Sequence, residues 1–299
     1  MRKKPEIREI IWDADNTFWN WIRYASKAYP AMAQLISNTT DKPLPEVKRV
    51  MKEFYTLAGT IESPYLIQGV EAAGFFKDTK LSRSDIAKLT RNAQRTFNHI
   101  RNRYLKLFPG IRRVVQASHD KKIKNHVVTD APSFQAGMRL RRSKLTDYLS
   151  SVHAKKYPDL SYELPAHIRT KHERGIYKLP FEIQELEHEK PDTRIEDILE
   201  LIGTKTSDIL DYCQSHVAII GDNESKDMAL AKKYKCALGI LALWGKADPD
   251  EIAIISEYAP EQIIRKNVDL NTLNNEAADN IIPIQKKNIK KDLYNILNL

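Results

Sequence analysis

The sequence predicts an α/β protein with a Rossmann-like, doubly wound parallel sheet and a long helical region inserted after the first strand. Four short apolar runs of strand length support the sheet, because strands that are buried on both faces of a parallel sheet are almost continuously apolar. Helical patterns separate the runs along the chain, as the alternation of a βαβ fold requires. The four runs are Ile7–Trp12, Ile123–Val128, His216–Ile220 and Ala237–Trp244.

The inserted region from residue 18 to 107 has helical periodicity. Its clearest helix runs from Ser84 to Leu107, where apolar residues recur at spacings of three and four and basic residues occupy the opposite face. A further helix is predicted to begin at Pro45. The segment Phe108-Pro109-Gly110 then ends the helical pattern.

Two later segments are less regular in pattern. His153 to Glu189 contains three prolines and mixed charge, and it predicts a long excursion with one short helix from Phe181 to Glu187. The chain after Leu273 is predicted to be a basic appendage. Its apolar residues have helical spacing and lie among lysines, a pattern that is typical of a helix packed on the core or of one lying on an anionic membrane.

Composition excludes several classes of protein. The 299 residues are 42% hydrophobic, which is enough for a substantial core, and two cysteines cannot form a disulfide framework. No apolar segment approaches the roughly 20 residues of a membrane-spanning helix. The charged residues before the short Ile10–Trp12 run do not match a signal peptide. The expectation is therefore a soluble cytoplasmic protein, with a secreted bacterial effector as the alternative.

Positive charge is concentrated in one part of the chain. The net charge is +9, but the segment from Lys80 to Lys144, here called the basic stretch, contains seventeen Lys or Arg and three Asp and therefore carries +14. A basic surface favours anionic partners such as phosphorylated substrates, nucleic acid or acidic lipid. A solvated helix face without a partner is the alternative interpretation.

The first candidate site follows the first apolar run. Asp13 and Asp15 are one residue apart, and Thr17 follows two places later. Carboxylates at such spacing project differently from the backbone. One can attack phosphorus and help to hold a metal ion, while the other can serve as general acid and then as general base.

Two further motifs supply a hydroxyl and a cation. Thr129 follows the second apolar run, where its side chain and nearby backbone N–H groups could hold a phosphate oxygen. Lys190, directly before a proline, could offset the charge of phosphate and carboxylates. Lys171 and Lys178 compete with Lys190 for this role.

The last motif follows the third apolar run. Gly221 and Asp222 end the run, and Asp227 comes five residues after Asp222. Carboxylate oxygens suit Mg²⁺, which keeps several waters and is usually held by few carboxylates. A helix cap is the alternative role for Asp222, and the preceding strand makes the metal interpretation preferable.

In their order and spacing these motifs closely resemble those of the haloacid dehalogenase (HAD) superfamily. The resemblance covers roughly residues 7 to 273, including the Trp244-Gly245 pair near its end. It implies a HAD catalytic core over residues 1–17 and 108–273, a helical cap over 18–107, and a separate basic appendage over 274–299. Asn16 departs from the family's usual glycine, but asparagine tolerates the left-handed backbone best among the other residues.

The resemblance also implies a role for each candidate residue. Asp13 would become phosphorylated, and Asp15 would protonate the leaving oxygen, activate water and offer its backbone carbonyl to Mg²⁺. Thr129 would bind the phosphoryl group, and Lys190 would position it and balance charge. Asp222 would ligate Mg²⁺ directly and Asp227 would hold its waters. The acid at position 15 is typical of phosphatases and mutases of the superfamily, so the expected activity is Mg²⁺-dependent hydrolysis of phosphate monoesters.

The sequence also supports more specific expectations about the substrate and the partners. The loop that contains Trp19 resembles that of magnesium-dependent members acting on protein phosphotyrosine, and Trp19 and Trp21 could stack on a tyrosine ring or else pack beneath the cap. A nucleotide, nucleic-acid or small-metabolite phosphatase is the alternative. An effector whose C-terminal tail contacts an anionic membrane is a further alternative.

Overall fold

A computed structural model describes residues 5–59, 61, 65–155, 182–200, 208–261, 264 and 280–299. Seven strands form one sheet in which each neighbouring pair is parallel, with the order β4-β3-β2-β1-β5-β6-β7. The strands are β1 Glu9–Trp12, β2 Lys124–Pro132, β3 Ser151–Lys155, β4 Ile183–Leu186, β5 Val217–Gly221, β6 Leu238–Ala242 and β7 Ile281–Ile284. The strand β1 is thus central, between β2 and β5.

Helices follow most strands. Those described are α1 Trp21–Thr40, α2 Leu44–Ala58, α3 Leu66–Ala72, α4 Arg83–Tyr104, α5 Ile111–Asp120, α6 Ser133–Ser143, α7 Ile195–Glu200, α8 Ile209–His216, α9 Ala229–Lys233, α10 Pro249–Ser256 and α11 Ile289–Leu297. Among these residues there is no helix with both the length and the apolar character that a membrane crossing requires.

The sheet is buried on both faces. Along β1, Ile10 and Trp12 belong to a large apolar cluster that includes α5 and α11, whereas Ile11 belongs to a second cluster with α7 and α8. This alternation follows from the two-residue period of a strand. The predicted doubly wound parallel sheet is therefore confirmed. The four apolar runs contain all of β1 and β6 and most of β2 and β5.

The helices α1 to α4 lie between β1 and β2 in the chain and pack mainly on each other. The chain leaves the sheet near Phe18 and returns to it near Phe108. These two segments run side by side, and the backbone N–H of Phe108 donates to the carbonyl of Phe18 at 2.7 Å. Ser82 caps α4 through a reciprocal hydrogen-bond pair with Asp85. The assignment of residues 18–107 to a separate cap domain stays a prediction.

Two expectations differ from the structure. The segment predicted to be a helix from Phe181 to Glu187 carries β4, which pairs with β3. The segment predicted to be an appendage carries β7 at the edge of the sheet, and α11 packs against α5. Ile289, Leu293 and Leu297 are buried in that contact, so the apolar face of α11 is covered by protein.

Candidate active site

The candidate site begins at the carboxyl ends of β1 and β5, where ligands bind in open α/β sheets. The register pairs Trp12 with Ile220, and the backbone N–H of Asp13 donates to the carbonyl of Ile220 at 2.8 Å. Parallel pairing therefore places Asp13, directly after β1, beside Asp222, directly after β5. The two predicted acids lie 209 positions apart in the chain and are neighbours in the fold.

A third carboxylate completes an acidic cluster. Asp13, Asp222 and Asp227 each present a carboxylate oxygen, and these oxygens all lie within 4.8 Å of one another. Asp227 lies in a turn of π-helix over Glu224–Met228, and its Oδ2 accepts a hydrogen bond from the backbone N–H of Asn223 at 3.1 Å. A Cβ on Gly221 would lie 2.2 Å from the Asp227 carboxyl group, so glycine is required before Asp222.

Lys190 contacts two of the three carboxylates of this cluster. Its Nζ donates to Asp13 Oδ1 and to Asp227 Oδ1, at 2.5 Å each, and the lysine is buried. Lys190 therefore occupies the position that the sequence predicted for the site lysine. The competing Lys171 and Lys178 lie outside the described residues.

Asp130 supports Lys190 from the neighbouring strand. Its Oδ1 accepts a hydrogen bond from the backbone N–H of Lys190 at 3.3 Å, and its Oδ2 accepts one from Lys226 Nζ at 2.6 Å. Although burial alone would raise the pKa of Asp130, the attraction of Lys190 and Lys226 outweighs it and lowers that pKa. Asp130, which directly follows Thr129, thus contacts both Lys190 and Lys226 through one ionised side chain, and so connects the motifs that contain these three residues.

The acidic cluster contains three carboxyl groups and one lysine, and this imbalance opposes the ionisation of Asp13 and Asp222. Burial raises the pKa of Asp13 to about 8; Lys190 opposes this rise, and repulsion from Asp227 adds to it. Burial, and then repulsion from Asp13 and Asp227, raises the pKa of Asp222 well above its usual range. Burial disfavours the charged form of Lys190, but the attraction of Asp13, Asp227 and Asp130 raises its pKa well above its usual range.

These residues fit a divalent cation. Three carboxyl groups are crowded around one ammonium group, and Asp13 and Asp222 resist ionisation in the absence of further positive charge. Hard cations such as Mg²⁺ take oxygen ligands and are commonly bound by one or two carboxylates together with water and phosphate oxygens. Asp13, Asp222 and Asp227 are the residues that would hold such an ion.

The Asp15 carboxylate forms its hydrogen bonds with residues outside the acidic cluster. Arg139 Nη1 donates to both of its carboxylate oxygens at 2.8 Å, and Trp19 Nε1 donates to its Oδ1 at 2.5 Å. Arg139 is buried on α6 and also donates to the hydroxyl of Tyr24 at 3.2 Å. The carboxylate itself remains one-fifth exposed (21%), so it is held in a fixed orientation at an accessible position.

The loop after Asp13 has a backbone shape that its sequence anticipated. Asn16 has a φ of +57°, the left-handed conformation expected of it, and its Oδ1 accepts a hydrogen bond from the backbone N–H of Trp21. Trp244 Nε1 donates to the carbonyl of Thr17 at 3.0 Å. A Cβ on Gly245 would lie 1.6 Å from the carbonyl oxygen of Asn16. The Trp-Gly pair therefore supports the loop that carries Asp13 and Asp15.

Thr129 and the tryptophans have other contacts. Thr129 is buried in β2, and its Oγ1 accepts a hydrogen bond from the backbone N–H of Ala131 at 3.2 Å; its predicted phosphate contact stays a prediction. Trp19 and Trp21 are each 2% exposed. Their indoles are packed in the protein, as the second of the two interpretations expected.

Sequence reasoning missed two residues of the site. Arg139 and Asp130 were counted among the charges of the basic stretch but were given no role. For Asp130 a signal existed, because it directly follows Thr129 beyond an apolar run. For Arg139 there was none, since one arginine of an amphipathic helix looks like any other on a solvated face.

Neither the family models nor the curated proteins contained a match to this sequence. Solved structures do resemble it in fold. A Thermotoga maritima protein assigned as a β-phosphoglucomutase superposes with a TM-score of 0.51 at 16% identity, over 97% of this chain and 100% of its own. A haloacid dehalogenase-like family hydrolase from Xanthomonas campestris gives 0.52 at 11% identity, over 98% and 97%.

At such identities the likeness concerns the fold, and it extends over nearly the whole chain. The central parallel sheet, the insertion after β1 and the acidic cluster at the carboxyl edge agree with the resemblance that the motifs indicated. The chain therefore has the fold of the haloacid dehalogenase-like hydrolases.

Proposed function

We propose that this protein is a Mg²⁺-dependent phosphatase that hydrolyses phosphate monoesters through a phospho-aspartate on Asp13. The observation that carries the proposal is the buried cluster of Asp13, Asp222 and Asp227 with Lys190 across it, at the carboxyl edge of the sheet. Phosphoryl transfer requires in-line positioning and charge neutralisation, and a lysine with a cation-binding carboxylate cluster supplies both.

Each side chain has a task in this mechanism. Asp13 attacks phosphorus and forms an acyl phosphate, while Lys190 holds the Asp13 carboxylate in place and offsets charge on the phosphoryl group. Asp15 gives a proton to the leaving oxygen and then takes one from the water that cleaves the acyl phosphate. Thr129 binds a phosphoryl oxygen. Mg²⁺, held by Asp13, Asp222 and Asp227, would neutralise charge on the phosphate and lower the cost of ionising the buried carboxylates.

The first test is turnover of p-nitrophenyl phosphate with and without MgCl₂, beside Asp13→Asn. We expect Mg²⁺-dependent release of p-nitrophenol by the unaltered chain, and a loss of at least about a thousandfold in kcat with Asp13→Asn, because the attacking oxygen is removed. Asp147→Asn is the matched control, since Asp147 is an exposed acid outside the cluster.

The intermediate gives a second readout. With radiolabelled substrate, acid quenching should trap label on the protein with Asp15→Asn, because the base for the second step is absent, and no label with Asp13→Asn. Equal turnover by the unaltered chain and Asp13→Asn, with the fold intact by circular dichroism, would contradict the phospho-aspartate mechanism.

Protein phosphotyrosine is the finer proposal for the substrate. It rests on the resemblance of the loop from Asp15 to Trp19, and the burial of Trp19 and Trp21 takes away the stacking surface that had supported it. Peptides with phosphotyrosine, phosphoserine or phosphothreonine in one common sequence test it. A clear preference in kcat/KM for phosphotyrosine would support the proposal, and equal values would contradict it.

A nucleotide or nucleic-acid phosphatase is the second candidate. The basic stretch favours it, because phosphate backbones bind to Lys and Arg with a steep dependence on salt. Turnover of a nucleoside monophosphate that falls steeply between 50 and 200 mM NaCl would support this candidate. Membrane contact through the tail receives no support, since the apolar face of α11 is buried.

A further inference from the structure

A cavity of about 420 Å³ lies beside the candidate active site. The end of α4, the segment before α5, the start of α5 and the end of α6 form its walls. Five basic side chains line it, and we call it the basic pocket: Arg101, Lys106, Arg112, Arg139 and Arg142. These residues belong to the basic stretch, so the fold collects part of that charge around one cavity.

The basic pocket adjoins Asp15. Trp19 and Arg139 both line the pocket, and both donate hydrogen bonds to the Asp15 carboxylate. In the proposed mechanism Asp15 contacts the leaving-group oxygen of the substrate. A substrate whose leaving group extends past Asp15 on the side of Trp19 and Arg139 would reach the pocket.

The pocket is lined by basic side chains and not by acidic ones. No Asp or Glu is among the described residues that line it. Arg139 has Asp15 as a counter-ion, but Arg112 donates to the backbone carbonyl of Ser143 and Arg142 to the amide oxygen of Asn102, both of them neutral groups. Like charges gathered around one cavity repel one another, and an anion bound between them relieves that repulsion.

We propose that the basic pocket binds a second phosphate group of the substrate, so that the physiological substrate carries a phosphate in addition to the one that is hydrolysed. Arginine and lysine side chains around a cavity are well suited to this ligand, because the guanidinium fork matches phosphate geometry and each charge-assisted hydrogen bond is strong. That the second phosphate belongs to a substrate rests on the proposed function. The binding of an anion by the pocket does not depend on that function.

The first experiment measures anion binding without catalysis. Inorganic tripolyphosphate is titrated into the full chain by calorimetry in the presence of EDTA, which removes any cation that could hold the anion at the acidic cluster. The variant Lys106→Gln/Arg142→Gln removes two exposed charges of the pocket. The matched control is Lys88→Gln/Arg91→Gln, which removes one Lys and one Arg from the exposed surface of α4, outside the pocket.

We expect the pocket variant to bind tripolyphosphate at least about tenfold more weakly than the unaltered chain, and the control to bind it with nearly unchanged affinity. Equal weakening in both variants would overturn the proposal, because it would mean that the anion responds to overall charge and not to this cavity. No detectable binding by the unaltered chain would overturn it as well.

The second experiment compares phenyl phosphate with hydroquinone bisphosphate, which differ by one phosphate group. We expect kcat/KM to be about tenfold higher for the bisphosphate, with the preference lost in the pocket variant and kept in the control. A pocket variant that keeps the preference, or an unaltered chain without one, would contradict a substrate role. If neither ester is hydrolysed while the binding result holds, the phosphatase proposal fails and the anion pocket stands.

Discussion

At the scale of single residues, the contacts of Asp15 distinguish this site from a bare carboxylate pair. A bidentate contact from a buried arginine and a hydrogen bond from Trp19 orient the side chain that is proposed to transfer protons. Catalytic groups act only when they are held close to the productive geometry by neighbours whose own positions are set by packing. Arg139 is therefore a positioning residue for Asp15.

Replacing Arg139 should impair turnover through Asp15. We expect Arg139→Gln to lower kcat for p-nitrophenyl phosphate by about ten- to a hundredfold, since a charge-assisted pair contributes about 1.5–3 kcal/mol. Arg139→Lys should restore part of the loss. In an Asp15→Asn background Arg139→Gln should cost little more, because coupled residues are not additive. An equal loss in both backgrounds would show that Arg139 acts through the fold instead.

At the scale of elements, a buried polar chain links three strands at the edge opposite the candidate site. Glu9 of β1 contacts His126 of β2 at 2.9 Å, and Ser151 of β3 lies 2.8 Å from both His126 and His153. Tyr212 also donates to Glu9. Burial, with repulsion from His126, lowers the pKa of His153 to about 4.

His153 should make stability depend on pH. Its pKa is lower in the folded protein than its usual 6.5, so the unfolded chain binds more protons between pH 6.5 and 4 and folding stability falls as the pH falls through this range. At pH 5 this protonation of the unfolded chain lowers the free energy of unfolding by about 2 kcal/mol relative to neutral pH. We expect His153→Gln, which cannot be protonated, to lose correspondingly less stability between pH 7.5 and 5. Urea unfolding at both pH values measures this, and equal losses would contradict it.

The helix α11 should contribute to the free energy of unfolding, because it packs on the core beside the sheet. Leu293 is fully buried in the large cluster with Ile289 and Leu297. Leu293→Ala should therefore cost about 2–5 kcal/mol, because it leaves a cavity in a packed core. Lys291→Ala, on the exposed face of the same helix, should change stability by less than about 0.5 kcal/mol. A negligible effect of Leu293→Ala would restore the appendage interpretation.

At the scale of the whole molecule, the acidic cluster joins segments from both ends of the chain. A cation bound there should stabilise the folded state, by about 2.7 kcal/mol at a hundredfold excess over its Kd. We expect MgCl₂ to raise Tm by several degrees, and Asp222→Asn to abolish most of that rise while Asp147→Asn keeps it. The readout is the rise on adding Mg²⁺, since removing a crowded carboxylate can itself change the starting Tm. Equal rises in both variants would place the cation elsewhere.

The regular parts of the fold were predictable because their physics is local. A strand that is buried on both faces is expected to be almost continuously apolar, and β5, β6 and residues Ile10–Trp12 of β1 satisfy this rule. The strand β3 does not, since its buried Ser151 and His153 are hydrogen-bonded to each other and Ser151 is also hydrogen-bonded to His126 of β2. Likewise β4 is a short edge strand that only its pairing with β3 specifies. Segments whose burial depends on distant partners carry no local signal.

The sequence by itself determined the central strands of the parallel sheet and which acids gather at its carboxyl edge, because hydrophobic period and parallel pairing bring the carboxyl ends of strands together. Only the tertiary structure decided that Arg139 holds Asp15, that Asp130 supports Lys190, and that part of the basic stretch surrounds one cavity. Those contacts join side chains from separate helices and strands. Their distances depend on how the elements pack, which no periodicity in the chain encodes.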